Sequence, residues 1–396
     1  MAGEGPEAAG RVALVWDGPI EYDFGPQHPL QPVRVELTVE LIRALGICDG
    51  ERAEEVPSSE FGEDELLRVH ERDYVEAVQR ISASNSSSAW EYGLGPGDNP
   101  TFPGMHEASM QVCAASKQAA RLVWEGEADH AFNPAGGLHH AMPRRASGFC
   151  IYNDPAVAID WLLHNGAERI AYLDVDVHHG DGVERMFWDD PRVVTISLHE
   201  SGRYLFPGTG FPSDIGGDGA EGSAANLTFD PRTTGDVWLS AFDEVVPPLV
   251  DAFRPDVLVT QLGCDTHVRD PLAHLALTVD DYAEIARRVH RLAHEAAGGR
   301  WVALGGGGYK LVEVVPRAWS IWFAELAGAE LPEETPESWR ELARERVGES
   351  PPRTFSDGDA GVPSGTRSQT SRAAEEAVEH LKQHVLARHG ARGGSG

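Results

Sequence analysis

Along the chain, short runs of β-branched and other apolar residues alternate with longer stretches whose apolar positions recur every three to four residues. The short runs, at residues 11–16, 129–133, 169–177, 192–198, 256–262 and 300–304, predict strands. The longer ones predict helices over residues 33–44, 105–125, 155–165, 237–252 and 279–297, the last entered through Thr278 with acidic residues in its first turn. Strand and helix in alternation point to an α/β domain built on a mostly parallel sheet. Residues 82–103, rich in Ser, Gly and Pro, and residues 201–226, rich in Gly, read as long loops. Excursions of that length in compact domains tend to carry function.

Beyond about residue 330 the pattern breaks. Pro332, Pro336, Pro351, Pro352 and a Ser/Gly/Asp stretch to Ser368 read as a connector, followed by a helix over 371–388 and a disordered tail from Gly390 to Gly396. The chain therefore divides into a disordered N-terminus (1–10), a main domain (11–330) and a C-terminal extension (331–396). The extension either packs on the main domain or mediates self-association, and the oligomeric state is left open. No internal repeat is present.

Charge narrows the function. With 63 Asp plus Glu against 33 Lys plus Arg, the net charge is −30, and no basic patch interrupts it. Such a surface repels phosphate backbones and anionic lipid, which excludes nucleic acid and membrane as direct partners. Cys48, Cys113, Cys150 and Cys264 are far apart and form neither a C-x-x-C pair nor a disulfide framework, so a reduced cytoplasm is the expected compartment. The acidic N-terminus lacks an export signal, and no window approaches 18 apolar residues. Asn85-Ser86-Ser87 and Asn226-Leu227-Thr228 fit the glycosylation pattern, but without a secretory route they are chance matches.

The candidate chemistry sits where the strands end. In the run Leu173 to Gly182, read as strand, a period of two puts Asp174, Asp176 and His178 on one face and Val175 and Val177 on the other. Two carboxylates on one face of so apolar a segment are costly unless a cation sits there. Asn133-Pro134-Ala135-Gly136-Gly137-Leu138-His139-His140, Leu262-Gly263-Cys264-Asp265 and Gly305-Gly306-Gly307-Gly308-Tyr309 each follow another predicted strand. Parallel α/β sheets place their ligand sites at these carboxyl ends. Asp176, His178 and Asp265 form a two-carboxylate, one-imidazole ligand set that leaves a divalent metal open positions for water and substrate. The glycine run lacks the G-K-[ST] ending of a phosphate loop.

Together these motifs, with Gly97-Asp98-Asn99-Pro100, Phe102-Pro103-Gly104 and Asp265-Thr266-His267, resemble the zinc-dependent histone deacetylase family of acyl-lysine amidohydrolases, and most closely its bacterial acetoin-utilisation branch. The resemblance runs from about residue 11 to 330, and makes that span the catalytic domain. It implies an arginase/deacetylase-like three-layer α/β/α sandwich around a mostly parallel eight-stranded sheet. It also implies that Asp176, His178 and Asp265 hold zinc, ferrous iron being equally suited to the donor set. His139 and His140 become paired catalytic imidazoles, with Asp174 and Asp181 as their carboxylate partners. His140 is then the base for the attacking water and the acid for the leaving amine, His139 stabilises charge, and Tyr309 donates its hydroxyl to the developing oxyanion.

By the same resemblance Phe149 and Phe206 wall an acyl-lysine tunnel, Gly148 offers its carbonyl to the substrate amide, and Asp98 is the rim acid. Arg34 and Leu138 line an internal acetate cavity, Leu138 standing where the eukaryotic branch commonly has Trp. Asp174, Asp176, His178, Ser197 and Leu198 match a structural potassium site. The implied reaction is hydrolysis of Nε-acetyl-lysine in proteins, with an acetylated acetyl-CoA or acyl-CoA synthetase as the implied target; the charge of −30 favours a basic segment around the acetylated lysine. An acetylpolyamine amidohydrolase shares the site chemistry. A non-catalytic acyl-lysine-binding module does not need Tyr309 and two imidazoles, and an arginase-type enzyme needs more metal ligands than the sequence supplies.

Overall fold

The computed structural model describes residues 10–84 and 88–392. The expected disorder at positions 1–9 and 393–396 and the Asn85-Ser86-Ser87 match lie outside the described residues; Gly390 to Arg392, expected in the tail, are helical.

Eight strands form one sheet: β1 (Val12–Val15), β2 (Ala53–Val56), β3 (His130–Asn133), β4 (Ile170–Asp174), β5 (Val193–Glu200), β6 (Ala224–Phe229), β7 (Val257–Gln261) and β8 (Trp301–Leu304). They lie in the order β2-β1-β3-β8-β7-β4-β5-β6, and every pair is parallel. The helices are α1 (Val33–Ala44), α2 (Glu63–Leu66), α3 (Arg72–Ser84), α4 (Met105–Trp124), α5 (Asp154–His164), α6 (Asp181–Phe187), α7 (Gly235–Phe253), α8 (Val279–Ala297), α9 (Val315–Ala327), α10 (Glu337–Val347), α11 (Ser364–Leu381) and α12 (Ala387–Arg392).

Because the strands are short and parallel, their side chains alternate between two buried faces. Val12, Leu14, Phe132, Leu173 and Ile196 pack under α1, α7, α8 and α9, while Ala13, Val15, Tyr172 and Val259 pack under α4 and α5. The result is a three-layer α/β/α sandwich. A third apolar cluster, with Tyr22, Leu66, Tyr74, Leu138 and Tyr152, backs the loops beyond the carboxyl ends of the strands. Entry into α8 uses the expected Thr278: its backbone N–H donates to Asp281 Oδ2 at 2.8 Å, closing a capping box.

The structure corrects the sequence reading at several points, adding helices α2, α3, α6 and α9, which that reading did not predict. Both edge strands, β2 and β6, escaped it: the core of β2 is Ala53-Glu54-Glu55-Val56, and β6 opens on Ala224-Ala225-Asn226, so neither carries a strong apolar run. The strand predicted over 169–177 stops at Asp174, so Asp176 and His178 belong to the following loop rather than to one strand face. The stretch expected as connector contains α10, whose buried Trp339 donates Nε1–H to the Leu37 carbonyl of α1 at 2.9 Å. Apolar residues of α11, Ala374, Ala377, Val378 and Leu381, are buried in the same core as α7 and β6, and α11 covers the β6 edge.

Candidate active site

At the end of β4 the chain leaves the sheet, and its polar groups turn toward one point. Asp174, still on the strand, accepts from the Tyr172 hydroxyl and from His139 Nδ1, both at 2.7 Å, on Oδ2, while its Oδ1 accepts the Asp176 N–H at 3.1 Å. The loop then sets His178 Nδ1 3.1 Å from Asp176 Oδ1, and 3.1 Å from Oδ2 of Asp265, which comes from the loop after β7. All three side chains are buried. The spare carboxylate oxygens are tied down: Asp176 Oδ2 accepts from Gln261 Nε2 and the Gly307 N–H, both at 2.7 Å, and Asp265 Oδ1 accepts the Val177 N–H at 2.9 Å.

These donors fit a divalent ion. Bonds of about 2.0–2.2 Å to a tetrahedral ion leave neighbouring ligand atoms roughly 3.3 Å apart, close to the spacing found. The electrostatics agree, since the carboxylates create a field that asks for a cation. Burial pulls the His178 imidazole down, yet Asp176 and Asp265 raise it to about 10; burial and the neighbouring Asp176 raise Asp265 to about 6.

The imidazole pair stands in the loop after β3, and the start of α5 holds it. Asp154 accepts the N–H groups of Gly137 at 2.9 Å and Leu138 at 2.8 Å, and Asn153 Nδ2 donates to the carbonyls of His139 at 3.1 Å and Ala141 at 2.9 Å. His139 meets Asp174 as described, and His140 Nδ1 lies 2.7 Å from Asp181 Oδ1, the first residue of α6. Each carboxylate fixes one Nδ1 as donor, so both Nε2 atoms face each other, 3.0 Å apart. The two rings respond in opposite directions. Burial lowers both, but Asp174 and Asp176 carry His139 up to about 9, whereas burial and then the charge on His139 press His140 down to about 4. The pair thus favours the extra proton on His139 and a neutral His140, whose Nε2 lone pair faces the His139 ring.

Tyr309 closes the cavity from the β8 side. Its backbone N–H donates to Asp270 Oδ2 at 2.8 Å, and burial with the nearby Asp265 keeps its hydroxyl protonated. His139, His140, Asp176, His178, Gly148 and Tyr309 line one cavity. Phe149 lies edge-on to Tyr309 with centroids 5.7 Å apart, and Phe206, 42% exposed, lies 5.0 Å from His140. Gly148 (φ 50°) has no room for a side chain: a Cβ would fall 2.4 Å from His140 Cδ2. Gly307 is equally constrained, its Cβ position being 2.0 Å from Asp265 Oδ2. Arg34, buried on α1, donates Nη1–H to the Gly308 carbonyl at 3.0 Å, and a second cavity shares Arg34, Leu138 and Leu30 with the first. Asp98 is exposed, and its carbonyl is 3.3 Å from Nε2 of His28, whose ring meets Phe149. Ser197 pairs in register with Asp174, with Leu198 next along β5.

Several residues that shape the site carry no motif of their own. Gln261, the last residue of β7, grips Asp176; its only signal is a polar side chain at the buried end of an apolar strand. Tyr22 donates to the Phe149 carbonyl at 2.8 Å and accepts the Ile151 N–H at 2.9 Å, holding Phe149 at a φ of 68° that side-chain-bearing residues rarely adopt. His267, two positions after Asp265, meets Asp357 Oδ2 of the extension at 2.8 Å, and Arg317 Nη2 donates to Asp357 Oδ1 at 2.9 Å. Nothing near Asp357 in the sequence announces that contact.

A parallel α/β/α sandwich with a carboxylate–imidazole cluster able to hold a metal, two carboxylate-backed imidazoles and a tyrosine near one cavity is the arrangement of a hydrolase of the deacetylase fold. The histone deacetylase domain model matches residues 28–326, and the chain belongs to the histone deacetylase family. Within it the chain falls in the acetoin-utilisation branch: it is 43% identical over 320 residues to the acetoin utilization protein AcuC of Bacillus subtilis, covering 80% of this chain and 82% of that one. The AcuC of Staphylococcus aureus strain MRSA252 is 38% identical over 319 residues, again with 80% and 82% coverage. Among solved structures, a deacetylase homologue from Aquifex aeolicus superposes with a TM-score of 0.80 at 30% identity, over 92% of this chain and all 100% of that one; a deacetylase homologue complexed with SAHA superposes equally well. The chain is accordingly a deacetylase-type hydrolase. No helix among the described residues is long and apolar enough to cross a membrane.

Proposed function

We propose that this chain hydrolyses Nε-acetyl-lysine in proteins, releasing lysine and acetate, with zinc or ferrous iron held by Asp176, His178 and Asp265. The observation that carries the reading is the split imidazole pair: two buried rings, each backed by its own carboxylate, with their Nε2 atoms 3.0 Å apart, lining the cavity that Asp176, His178 and Tyr309 also line. Recognition alone would need no such proton relay.

When bound, the ion supplies a Lewis acid that polarises the acyl carbonyl and lowers the pKa of a water. His140, neutral at Nε2, takes the proton of the attacking water and returns it to the leaving amine. His139 stays protonated and offsets the negative charge that gathers on the reacting centre. Tyr309 donates its hydroxyl to the carbonyl oxygen as the tetrahedral oxyanion forms. Phe149 and Phe206 sheathe the lysine methylenes, the Gly148 carbonyl accepts from the substrate amide, Asp98 meets the peptide backbone at the rim, and Arg34 with Leu138 receives the acetate. A potassium ion at Asp174, Asp176, His178, Ser197 and Leu198 fits one local detail. His199 gives Nε2–H to the Gly210 carbonyl at 2.8 Å, so its Nδ1 accepts the Ser197 hydroxyl proton at 2.8 Å and leaves the serine lone pairs available. The substrate in this reading is a basic segment of a cytoplasmic protein, an acetylated acetyl-CoA or acyl-CoA synthetase being the target the branch implies.

The test is acetate release from an acetyl-lysine peptide beside N-acetylputrescine, with and without chelator, in the wild type and Tyr309→Phe. Chelator-sensitive peptide turnover that collapses in the variant supports the proposal. Preference for the polyamine moves the activity to small-molecule substrates, and no turnover of either after zinc is restored refutes hydrolysis of acetyl amides.

A further inference from the structure

The other end of the sheet holds a second cluster that the deacetylase reading does not use. His130, the first residue of β3, lies with its Nε2 3.2 Å from His290 Nε2 on α8, and His294, one helical turn on, has its Nε2 3.1 Å from the same atom. His130 is fully buried, while His290 and His294 are half-buried. All three candidate donor nitrogens lie within 4.8 Å of one another. Since the active site occupies the carboxyl ends of the strands and His130 begins one, the two clusters stand at opposite ends of the strands.

We propose that His130, His290 and His294 form a second metal site, taking a late first-row divalent ion such as zinc, cobalt or nickel through three Nε2 atoms. Two observations favour an ion over a hydrogen-bonded cluster. His290 Nδ1 lies 3.0 Å from Glu325 Oε1 on α9, so Nδ1–H donates to the carboxylate and Nε2 carries a single lone pair. Two other Nε2 atoms crowd that one lone pair, and one proton between two nitrogens satisfies a single contact, whereas a cation at the centre satisfies all three. The two spacings to His290 Nε2, 3.2 and 3.1 Å, fit as well, since nitrogens at about 2.0–2.1 Å from a tetrahedral ion stand roughly 3.3 Å apart. Three neutral imidazoles without a first-sphere carboxylate select borderline transition metals over magnesium, calcium or potassium.

The site joins β3 to α8. Strand β3 runs directly into the loop of the His139–His140 pair, and α8 follows the loop of Asp265. The ion would brace the two elements that adjoin those loops, without touching the reaction.

The experiment counts zinc by mass spectrometry in full-length protein that has been stripped with chelator, reloaded with zinc chloride and desalted. We expect two equivalents in the wild type, one in His290→Gln/His294→Gln, one in Asp265→Asn, and none in the combination. His294→Gln alone, at the half-buried position, serves if the double variant misfolds, and should also drop the count by one. A single wild-type equivalent that survives Asp265→Asn and disappears in the histidine variants upholds this site while removing the ion from the proposed active site. A zinc count in the histidine variants equal to that of the wild type overturns the proposal.

Discussion

The two imidazole clusters of this sheet are built from similar parts and prepared for different work. At the carboxyl end, the ligand set mixes two carboxylates with one imidazole, every residue is buried, and each spare oxygen is held by a backbone N–H or by Gln261. At the amino end, three imidazoles meet between a strand and a helix, with one carboxylate on an outer nitrogen and part of the cluster open to solvent. The first arrangement surrounds its ion position with proton-handling groups, His139, His140 and Tyr309, in a shared cavity. Beside the second, Glu325 meets one of the three imidazoles, and neither a tyrosine nor a second carboxylate-backed imidazole is part of the cluster, which joins a strand to a helix. Ligand type and neighbours, rather than the presence of a metal-binding geometry, separate a reaction centre from a brace.

The sharpest way to break this contrast is to remove the proton chemistry from the first cluster. His140→Ala should lower kcat on an acetyl-lysine peptide by about 10²–10⁴-fold with little change in KM, since a positioned base contributes on that scale. Tyr309→Phe should lose about 10²–10³-fold, as for one oxyanion donor. A His140→Ala enzyme that turns over within tenfold of wild type would show that another group is the base.

Next in size is the link between the C-terminal extension and the loop of Asp265. Arg317 is fully buried, and Asp357 from the extension is its carboxylate partner while also meeting His267. Asp357→Asn leaves a buried guanidinium unbalanced, which should cost about 3–5 kcal/mol in urea unfolding at pH 7. Despite burial, which acts in the opposite sense, the contacts to His267 and Arg317 hold the Asp357 carboxyl below its usual range. A depressed native pKa means the contribution is complete above the unfolded value, about 4, and drains away as pH falls below it toward the native value. The difference between wild type and variant should therefore be full at pH 7 and shrink below pH 4. A gap that widens on acidification would contradict this assignment.

The same contrast explains what sequence alone reveals. The first cluster was legible because its pieces are contiguous motifs at strand ends: Asp174 to Asp181, Leu138 to His140, and the Asp265 and Tyr309 loops. Even there the strand period misplaced Asp176 and His178, since the sheet ends at Asp174 and the loop, not the pleat, aims their side chains. The central strands announced themselves as apolar runs, whereas β2 and β6, at the edges, carry polar residues or alanine that blur the pattern. His130 lies 160 positions from His290, and Asp357 is 90 from His267. Contacts of that separation are made by the topology, and no local pattern encodes them.

Gln261 tests whether the outer contacts of the first cluster matter as the contrast requires. Gln261→Ala removes the donor to Asp176 Oδ2 and should weaken zinc affinity by about 10–100-fold, the usual cost of losing such a partner, while kcat at saturating zinc changes less. Competition against a chromogenic chelator measures it. An unchanged affinity would mean that the Gly307 N–H alone orients Asp176.

The smallest effect belongs to the second cluster, and it must be read where the first is silent. In an Asp265→Asn background, zinc at about ten times its Kd for one remaining site should raise stability by about 1.4 kcal/mol, because an ion that binds only the folded chain stabilises it by mass action. Adding His290→Gln/His294→Gln should abolish that zinc-dependent gain while leaving the metal-free stability nearly unchanged, since both side chains are half-buried and the buried His130 is kept. In the otherwise wild-type protein the same pair of substitutions should leave kcat at saturating zinc within about twofold, because a brace alters the cost of loosening β3 from α8 and not the groups that move protons. A tenfold loss of kcat with the zinc of the proposed active site still bound would instead tie the amino end of the sheet to the reaction, and the distinction between centre and brace would fail.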